Sequence, residues 1–288
     1  MKKQVDTGET KMENLYIIIN ETKDKDYETT KEIVEYLKDQ GKNVTLAHMD
    51  STGYLIREKI PSGLDCALVL GGDGTIIRAS RELAELEVPI LGLNLGTLGY
   101  LAEVEIRDFK KAFRRLFSGR FTIERRMMLQ GSINEKKENT AINDIVVARV
   151  GGLRTVNFNV YVNGILLNNY TADGMIVSTP TGSTGYNLSA GGPIVEPTAN
   201  IVVMTPICSH ALNTRSIVLS SDDVIEVEVG EKRYGNNEQM AATFDGSEPV
   251  NLKTGDRLVI KKSKKVTKFV KIRSESFLKT MQTKMKGN

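Results

Sequence analysis

The chain has 288 residues, of which 40% are apolar and 26% charged, with a formal net charge of +3. This length suits one large domain or two ordinary ones, and the composition is that of a globular protein. No apolar run approaches the ~20 residues of a membrane span, and the charge is too small to imply nucleic acid as a partner. The start of the chain, Met1 to Asn14, is polar and has no signal-peptide core, so we expect a cytoplasmic protein without membrane attachment.

Cysteine and histidine are too few and too scattered for a zinc site. The two cysteines, Cys66 and Cys208, both stand in apolar stretches, and we interpret them as buried thiols rather than a disulfide. The two histidines, His48 and His210, belong to no HExxH motif and no Cys/His cluster. The sequence therefore predicts neither a structural zinc nor a three-histidine catalytic zinc.

The first part of the chain alternates predicted strands and helices. Apolar runs predict strands at 15–20, 44–48, 66–70 and 89–95. Helical spacing of apolar residues predicts helices at 27–40, at 75–86 and after an N-cap at Asp108. Such alternation predicts a parallel sheet flanked by helices.

Beyond about Arg126 the periodicity changes to that of strands. Apolar and polar residues alternate at 156–162, 225–229 and 252–260, between glycine-rich turns. A closing helix is predicted at 275–285. The predicted fold class is an α/β N-terminal domain with a mostly parallel sheet, residues 1–126, plus a β-rich C-terminal domain, residues 127–274.

A basic stretch lies near the end of the second domain. Lys261 to Arg273 has seven basic residues in thirteen, with apolar residues interspersed. It lacks the interleaved aromatic residues of a base-stacking platform. We interpret it as a solvated strand rather than a nucleic-acid surface.

The strongest local motif is the Gly-Gly-Asp-Gly-Thr turn at Gly71 to Thr75. It follows a predicted strand and precedes a predicted helix, which is where open parallel sheets bind ligands. The glycines allow close approach of the backbone to a phosphate, and the helix start favours an anion. Because a carboxylate is costly beside an anion, Asp73 is expected to handle a proton or a metal ion.

Three further motifs accompany this turn. The segment 171–186 is rich in hydroxyls and glycines, which suits an adenosine or a ribose, and its Tyr186 could stack on a base. Asn143-Asp144 can bracket two ribose hydroxyls, although a turn at a strand start is the alternative. The glycine loop 94–100 serves either structural packing or contact with a ligand. No P-loop, GxGxxG or GxSxG motif is present in the sequence.

Together these motifs resemble the NAD kinase family. The turn at 71–75 is shared with diacylglycerol-type lipid kinases and phosphofructokinases, so the segment from Asp173 to Tyr186 is what indicates NAD kinases. The motifs stand in family order over about residues 66 to 250: Gly71–Thr75, Asn94–Tyr100, Asn143-Asp144, Ala172–Gly174, Ser178–Thr184 and Pro206–Leu219, which includes Asn213-Thr-Arg215.

The resemblance implies transfer of a phosphoryl group from ATP or polyphosphate to the 2′-hydroxyl of the adenosine ribose of NAD, giving NADP. It implies Mg²⁺ or another divalent cation, and a homodimer or homotetramer. Domain 1–126 would carry the phosphate-donor and catalytic loop, with residues 275–288 packed back on it, and domain 127–274 would bind NAD. The choice between ATP and polyphosphate, and between NAD and NADH, stays open.

The resemblance also implies roles for single residues. Asp73 would accept the hydroxyl proton, while the backbone at Gly72 and Thr75 would hold donor phosphates. Two positions depart from the family pattern, since Gly185 stands where Ala is frequent and Ser247 where Gln is frequent. Both are kept as predicted substrate contacts. The expected NAD contacts are Gly74, Arg78, Asn143, Asp144, Asp173, Thr184, Tyr186 and Ser189.

Two other functions remain open on the sequence. A lipid kinase would share the phosphate turn, but the chain lacks an amphipathic membrane-binding helix. A non-catalytic NAD-binding protein would keep the hydroxyl-rich segment but would not need Asp73.

Overall fold

The computed structural model describes residues 12–96, 99–151, 155–209, 215–231, 239–272 and 277–285. The chain forms two compact units, the first of residues 1–125 and 267–288, the second of residues 126–266. Within the described ranges, no helix is long and apolar enough to cross a membrane. The predicted roles of domains 1–126 and 127–274 stay predictions.

The elements follow the chain in this order. The first are β1 (Asn14–Ile19), α1 (Glu28–Asp39), β2 (Asn43–Leu46), β3 (Cys66–Gly71), α2 (Asp73–Glu82), β4 (Ile90–Asn94), β5 (Val104–Glu105) and α3 (Phe109–Phe117). They are followed by β6 (Thr122–Ile133), β7 (Lys136–Ala141), β8 (Asp144–Arg149), β9 (Val156–Val162), β10 (Ile165–Ala172), β11 (Gly174–Ser178) and α4 (Tyr186–Ser189). The last are β12 (Ile201–Ile207), β13 (Ile217–Ser220), β14 (Ile225–Val229), β15 (Gln239–Phe244), β16 (Val250–Lys253), β17 (Arg257–Lys271) and α5 (Phe277–Met285).

The first unit is built on a parallel sheet in the order β4-β3-β1-β2. Both faces of β1 and β3 are apolar and buried, as expected for a parallel sheet covered on both sides. On one face, Ile17 and Leu68 pack in a core cluster with Leu37 of α1 and Phe113 of α3. The predicted α/β class of this part is confirmed.

The end of β17 completes this unit. Phe269 pairs with Ile90 of β4 in parallel register. The backbone N–H of Ile272 donates to the buried Glu103 carboxylate at 2.9 Å. The first unit is therefore discontinuous in sequence, because residues after 266 supply part of its sheet.

The second unit consists of antiparallel strands in two groups. One sheet has the order β13-β12-β11-β8-β15-β16, and the other group includes β10-β9-β14-β17 and the β6-β7 pair. Side chains of both groups meet in one core cluster, for example Val147 and Val177 with Phe158 and Val227. The predicted β-rich class of this part is confirmed.

Three local expectations differ from the structure. The helix expected at 75–86 begins two residues earlier, at Asp73, and ends at Glu82. Asp108 occupies the N-cap position of α3 but makes no side-chain capping hydrogen bond. Cys66 is buried as expected, whereas Cys208 is exposed because it follows the end of β12 with a φ of 46°.

The basic stretch forms the second half of β17. Lys262 lies 3.5 Å from Asp222 and Lys268 lies 2.5 Å from Glu87, measured between side-chain nitrogen and oxygen. Lys271 pairs with the buried carboxylate of Glu103. These lysines therefore neutralise acids of their own fold. The last residue of the basic stretch, at 273, lies outside the described residues, and so does residue 275, where the closing helix was predicted to begin.

Candidate active site

The Gly71–Thr75 motif forms the junction between β3 and α2. Gly71 ends the strand, Gly72 is the N-cap and Asp73 is the first helical residue. A Cβ added at Gly71 would stand 2.5 Å from the Thr75 hydroxyl oxygen, so a side chain there would clash. The space around Gly74 is open, with no atom within 4 Å of an added Cβ. Backbone N–H groups at the start of α2 are thus accessible to an anion at the carboxyl edge of the sheet.

The Asp73 carboxylate is held by backbone N–H groups of the loop that follows β4. Oδ2 accepts the N–H of Tyr100 at 2.6 Å, and Oδ1 accepts those of Leu101 and Ala102 at 3.1 and 3.4 Å. A carboxylate has about four lone-pair positions, so one remains for a further hydrogen-bond donor. The end of the predicted glycine loop at 94–100 thus holds the Asp73 carboxylate in place, and whether the loop also contacts a ligand stays open; its residues 97 and 98 lie outside the described chain.

The last helix contacts the same loop. The Lys284 ammonium of α5 lies 4.8 Å from the centre of the Tyr100 ring. A cation over an aromatic face contributes about 0.5–1 kcal/mol at exposed sites. Helix α5 therefore supports the loop whose backbone holds Asp73.

Arg78 lies one helical turn after the glycine turn, on α2. A Cβ added at Gly53 would stand 2.8 Å from its guanidinium, so Arg78 lies against the turn between β2 and β3. It is attracted to Glu82, whose pKa is raised chiefly by burial. Glu82 in turn accepts the N–H of Leu55 at 2.9 Å, which fixes this turn beside α2.

A cavity of about 350 Å³ lies in the second unit, at the start of β8. Its volume is within the range of small-molecule sites. It brings together three residues predicted for the site with four that were not predicted. The lining residues are Asn143, Asp144, Val146, Tyr186, Thr243, Asp245 and Gly246.

Asp245 organises one wall of this cavity. Its carboxylate accepts the backbone N–H groups of Ile142, Asn143 and Asp144 at 2.8, 2.7 and 3.1 Å. Its own φ of 52° is left-handed, and Gly246 follows with a φ of 67°. This role of Asp245 was not predicted from the sequence, where the available signal was the Asp-Gly turn at 245–246.

The pair Asn143-Asp144 has unusual electrostatics. Burial, and then repulsion from Asp245, raises the pKa of Asp144 from 3.8 to about 7. The Asn143 side-chain oxygen is buried and has no hydrogen-bond partner among the described residues. Since buried polar atoms are normally paired, this oxygen indicates a missing hydrogen-bond donor, such as a ligand hydroxyl.

The hydroxyl-rich segment after β11 mostly stabilises the fold. Thr179 donates to the carbonyl of Ile142 at 2.6 Å, and Ser183 donates to that of Pro180 at 2.7 Å. Asn187 is fully buried and accepts from Thr205 at 2.7 Å. These polar groups are bonded within the protein, and the contact of this segment with an adenosine or a ribose stays a prediction.

The remaining predicted residues of this segment lie on α4 and on the turn that precedes it. Tyr186 is 47% exposed and lines it. A Cβ added at Gly185 would stand 3.6 Å from the amide nitrogen of Asn143 and 3.3 Å from the Gly182 carbonyl, so alanine would be tightly accommodated. Thr184 is partly buried, and its hydroxyl donates to Thr181 at 3.4 Å, while Ser189 is exposed on α4.

Two predicted residues, Asp173 and Ser247, are not among those that line the cavity. Asp173 precedes β11 and pairs with Arg149 at 2.9 Å. In the register of β8 and β11, Asp144 pairs with Ser178, five residues beyond Asp173. Asp173 is thus at the opposite end of this strand pair, roughly 17 Å from Asp144. The Ser247 hydroxyl accepts the N–H of Phe244 at 3.3 Å, within its own turn.

Comparison with family models decides the classification. Residues 15–121 match the ATP-NAD kinase N-terminal domain, and residues 142–272 match the ATP-NAD kinase C-terminal domain. This chain belongs to the NAD kinase family. It is accordingly a phosphotransferase, and the sequence-based assignment to this family is confirmed.

NAD kinases of known sequence and structure are similar over nearly the whole chain. The NAD kinase of Lachnoclostridium phytofermentans is 43% identical over 281 residues, covering 95% of this chain and 99% of the relative. That of Agathobacter rectalis is 44% identical over 282 residues, covering 96% and 99%.

Two solved structures share the fold. Yeast NADH kinase complexed with NADH has a TM-score of 0.87 at 25% identity, covering 97% of this chain and 89% of that one. The NAD kinase from Archaeoglobus fulgidus in complex with ATP has a TM-score of 0.75 at 26% identity, covering 95% and 98%.

Proposed function

We propose that this enzyme transfers the γ-phosphoryl group of ATP to the 2′-hydroxyl of the adenosine ribose of NAD, giving NADP. The observation that carries the proposal is the cavity in which the unpartnered oxygen of Asn143 stands beside the Asp144 carboxyl group. A ribose offers two adjacent hydroxyls, which match these two acceptors. Dinucleotide sites elsewhere also use a carboxylate to bind ribose hydroxyls.

Asp73 is the proposed proton acceptor. Phosphoryl transfer depends mainly on alignment and on neutralising charge, and a base orients the attacking hydroxyl. Three backbone N–H groups fix the orientation of the carboxylate, and a lone pair remains for the proton. The backbone N–H groups of Gly72 and Gly74 would bind the phosphates of the donor at the start of α2, while the N–H of Thr75 donates to the Gly72 carbonyl at 3.0 Å and closes the turn.

A divalent cation would bind at this site together with the phosphates of the donor. The described residues include no group of three His, Cys, Asp or Glu side chains able to hold a metal alone. Mg²⁺ usually retains several waters and binds through substrate phosphates with one or two carboxylates. Asp73 is the carboxylate at the glycine turn, and a bound Mg²⁺ would neutralise charge on the donor phosphates.

The other predicted contacts receive narrower roles. Tyr186 would cover one side of the bound ribose or base, with Thr184 and Gly185 beneath it. Asp173 and Ser189 would contact more distant parts of the dinucleotide. Arg78 would add positive charge near α2, and Ser247 would shape the turn after Asp245 rather than replace the family glutamine.

Location and assembly follow the family expectation. We propose a cytoplasmic homodimer or homotetramer that uses NAD and ATP as small-molecule substrates. One of the similar solved structures is a complex with NADH and the other is a complex with ATP, and these two complexes support NAD and ATP as substrates. Polyphosphate remains a second donor to be tested.

A donor-by-acceptor screen tests the proposal. Purified protein is incubated with Mg²⁺ and either ATP or polyphosphate, together with NAD, NADH, diacylglycerol or fructose 6-phosphate. NADP is detected with an NADP-specific dehydrogenase, and donor label is followed into every acceptor. The proposal expects label in NAD with ATP; label in lipid or sugar with NAD unmodified would overturn it.

A further inference from the structure

We propose that Lys23 is a phosphate-binding residue of the donor site, with its ammonium contacting the terminal phosphates of ATP or polyphosphate. This inference rests on the proposed function and adds a residue that none of the sequence motifs contains. Lys23 lies in the segment that follows β1.

The ammonium of Lys23 lies over the two glycine loops of the site. A Cβ added at Gly72 would stand 3.0 Å from its Nζ, and one added at Gly96 would stand 3.7 Å away. Gly72 is the N-cap of α2 and immediately precedes Asp73. The positive charge therefore stands at the edge where β1, β3 and β4 all end, beside the accessible N–H groups of α2.

The backbone around Lys23 is fixed on both sides. The Asn20 side chain donates to Thr75 at 3.1 Å and accepts from the backbone N–H and hydroxyl of Thr22 at 3.1 and 2.7 Å. The N–H of Lys23 donates to the Asn20 carbonyl at 2.9 Å. The buried Asp24 carboxylate accepts the N–H of Thr30 at 2.9 Å.

This anchoring gives the lysine a defined position rather than a random one. Asn20 links the segment directly to Thr75 of the glycine turn, while Asp24 ties it to α1. The ammonium itself makes no hydrogen bond or ion pair with any residue in the described part of the chain. A fixed cation without an anionic partner, beside a turn built for phosphate, is complementary to a phosphate group.

The chemistry of the reaction needs such a charge. Charge on the transferred phosphoryl group and on the leaving group must be neutralised, and many nucleotide-binding sites use a lysine for this. This chain has no P-loop and therefore no P-loop lysine. Lys23 supplies the equivalent charge from the segment that follows β1, on the donor side of the turn.

The test compares Lys23→Gln and Lys23→Arg with a matched control, Lys25→Gln, which removes an exposed lysine two residues further on. Donor affinity is measured by calorimetric titration with a non-hydrolysable ATP analogue and Mg²⁺. Loss of one charged contact to phosphate should weaken donor binding ~10- to 100-fold. Lys23→Arg should restore most of that loss, and Lys25→Gln should bind as the wild type does.

Steady-state kinetics provide the second readout. The KM for ATP, and for polyphosphate where it serves as donor, should rise in Lys23→Gln, while the calorimetric Kd for NAD changes less than twofold. Donor affinity within twofold of wild type in Lys23→Gln, or an equal loss in Lys25→Gln, would overturn the inference. If the wild type phosphorylates no NAD at all, the proposed function fails, whereas the binding titration still decides the role of Lys23.

Discussion

The carboxylate of Asp73 lies directly against Gly99. A Cβ added at residue 99 would stand 1.8 Å from Oδ1 of Asp73, nearer than any two such atoms can approach. The next residue, Tyr100, donates its backbone N–H to the same carboxylate at 2.6 Å. The proposed base and its support therefore require a glycine at this position.

Gly99→Ala should displace the Asp73 carboxylate and lower kcat by at least ~10², because misplacement of a catalytic group by about 1 Å has effects of this size. The double variant Gly99→Ala, Asp73→Ala should be little slower than Asp73→Ala alone, since both changes remove the same group. Full additivity of the two effects on kcat would show that Gly99 acts independently of Asp73.

Asp73→Asn should lower kcat by ~10²–10⁴, the usual contribution of a general base. The amide keeps the shape of the carboxylate but presents an NH₂ group where one oxygen accepted an N–H, so we expect a loss of unfolding free energy of about 1–2 kcal/mol. Rapid-quench kinetics and thermal unfolding measure the two effects. A kcat within threefold of wild type would remove Asp73 from the mechanism.

Asp245→Ala should weaken NAD binding about tenfold and destabilise the second unit by about 1–3 kcal/mol, because three backbone N–H groups of Ile142 to Asp144 lose their acceptor. Asp245→Asn keeps one acceptor oxygen, so its NAD affinity and its stability should lie between those of the wild type and those of Asp245→Ala. Calorimetry with NAD and denaturant unfolding are the measurements. Unchanged NAD affinity in Asp245→Ala would mean that the position of Asn143 and Asp144 does not depend on this carboxylate.

The raised pKa of Asp144 predicts a pH dependence of stability. Burial and Asp245 raise this pKa from 3.8 to about 7. Between these values the unfolded chain releases a proton that the folded protein keeps, so stability should fall as pH rises from about 4 to 7 and then level off. Asp144→Asn should remove this slope, and a wild-type slope equal to that of the variant over this range would contradict the prediction.

The sequence predicted the fold well where local pattern decides it. Residues 15–19 of β1 and all of β3 are apolar because both faces of this sheet are covered, and such runs are recognisable without a structure. Asp73 was recognisable because its motif carries strand, turn and helix start in a few consecutive residues. These signals are local, so no knowledge of tertiary contacts was needed.

The contacts of the site were less predictable because they join distant parts of the chain. Lys23 approaches Gly72, and Asp245 holds Asn143, across about 50 and 100 residues of sequence respectively. Composition alone also does not show which polar groups of the segment after β11 bond within the protein. Ser183 and Asn187 are buried and hydrogen-bonded within the protein, whereas Tyr186, which stands between them in the sequence, lines the cavity.

The discontinuity of the first unit has a consequence for biosynthesis. Residues 1–125 leave the ribosome first, but the strand segment that pairs Phe269 with Ile90 is made only after the intervening unit of residues 126–266. At typical translation rates that delay is roughly ten seconds or more. During this time Lys284 of α5 has not been made. The loop after β4, whose Tyr100 donates to Asp73, therefore lacks its contact with this lysine. Residues 267–285, which complete the first unit, are therefore added to it only after the whole second unit has been made.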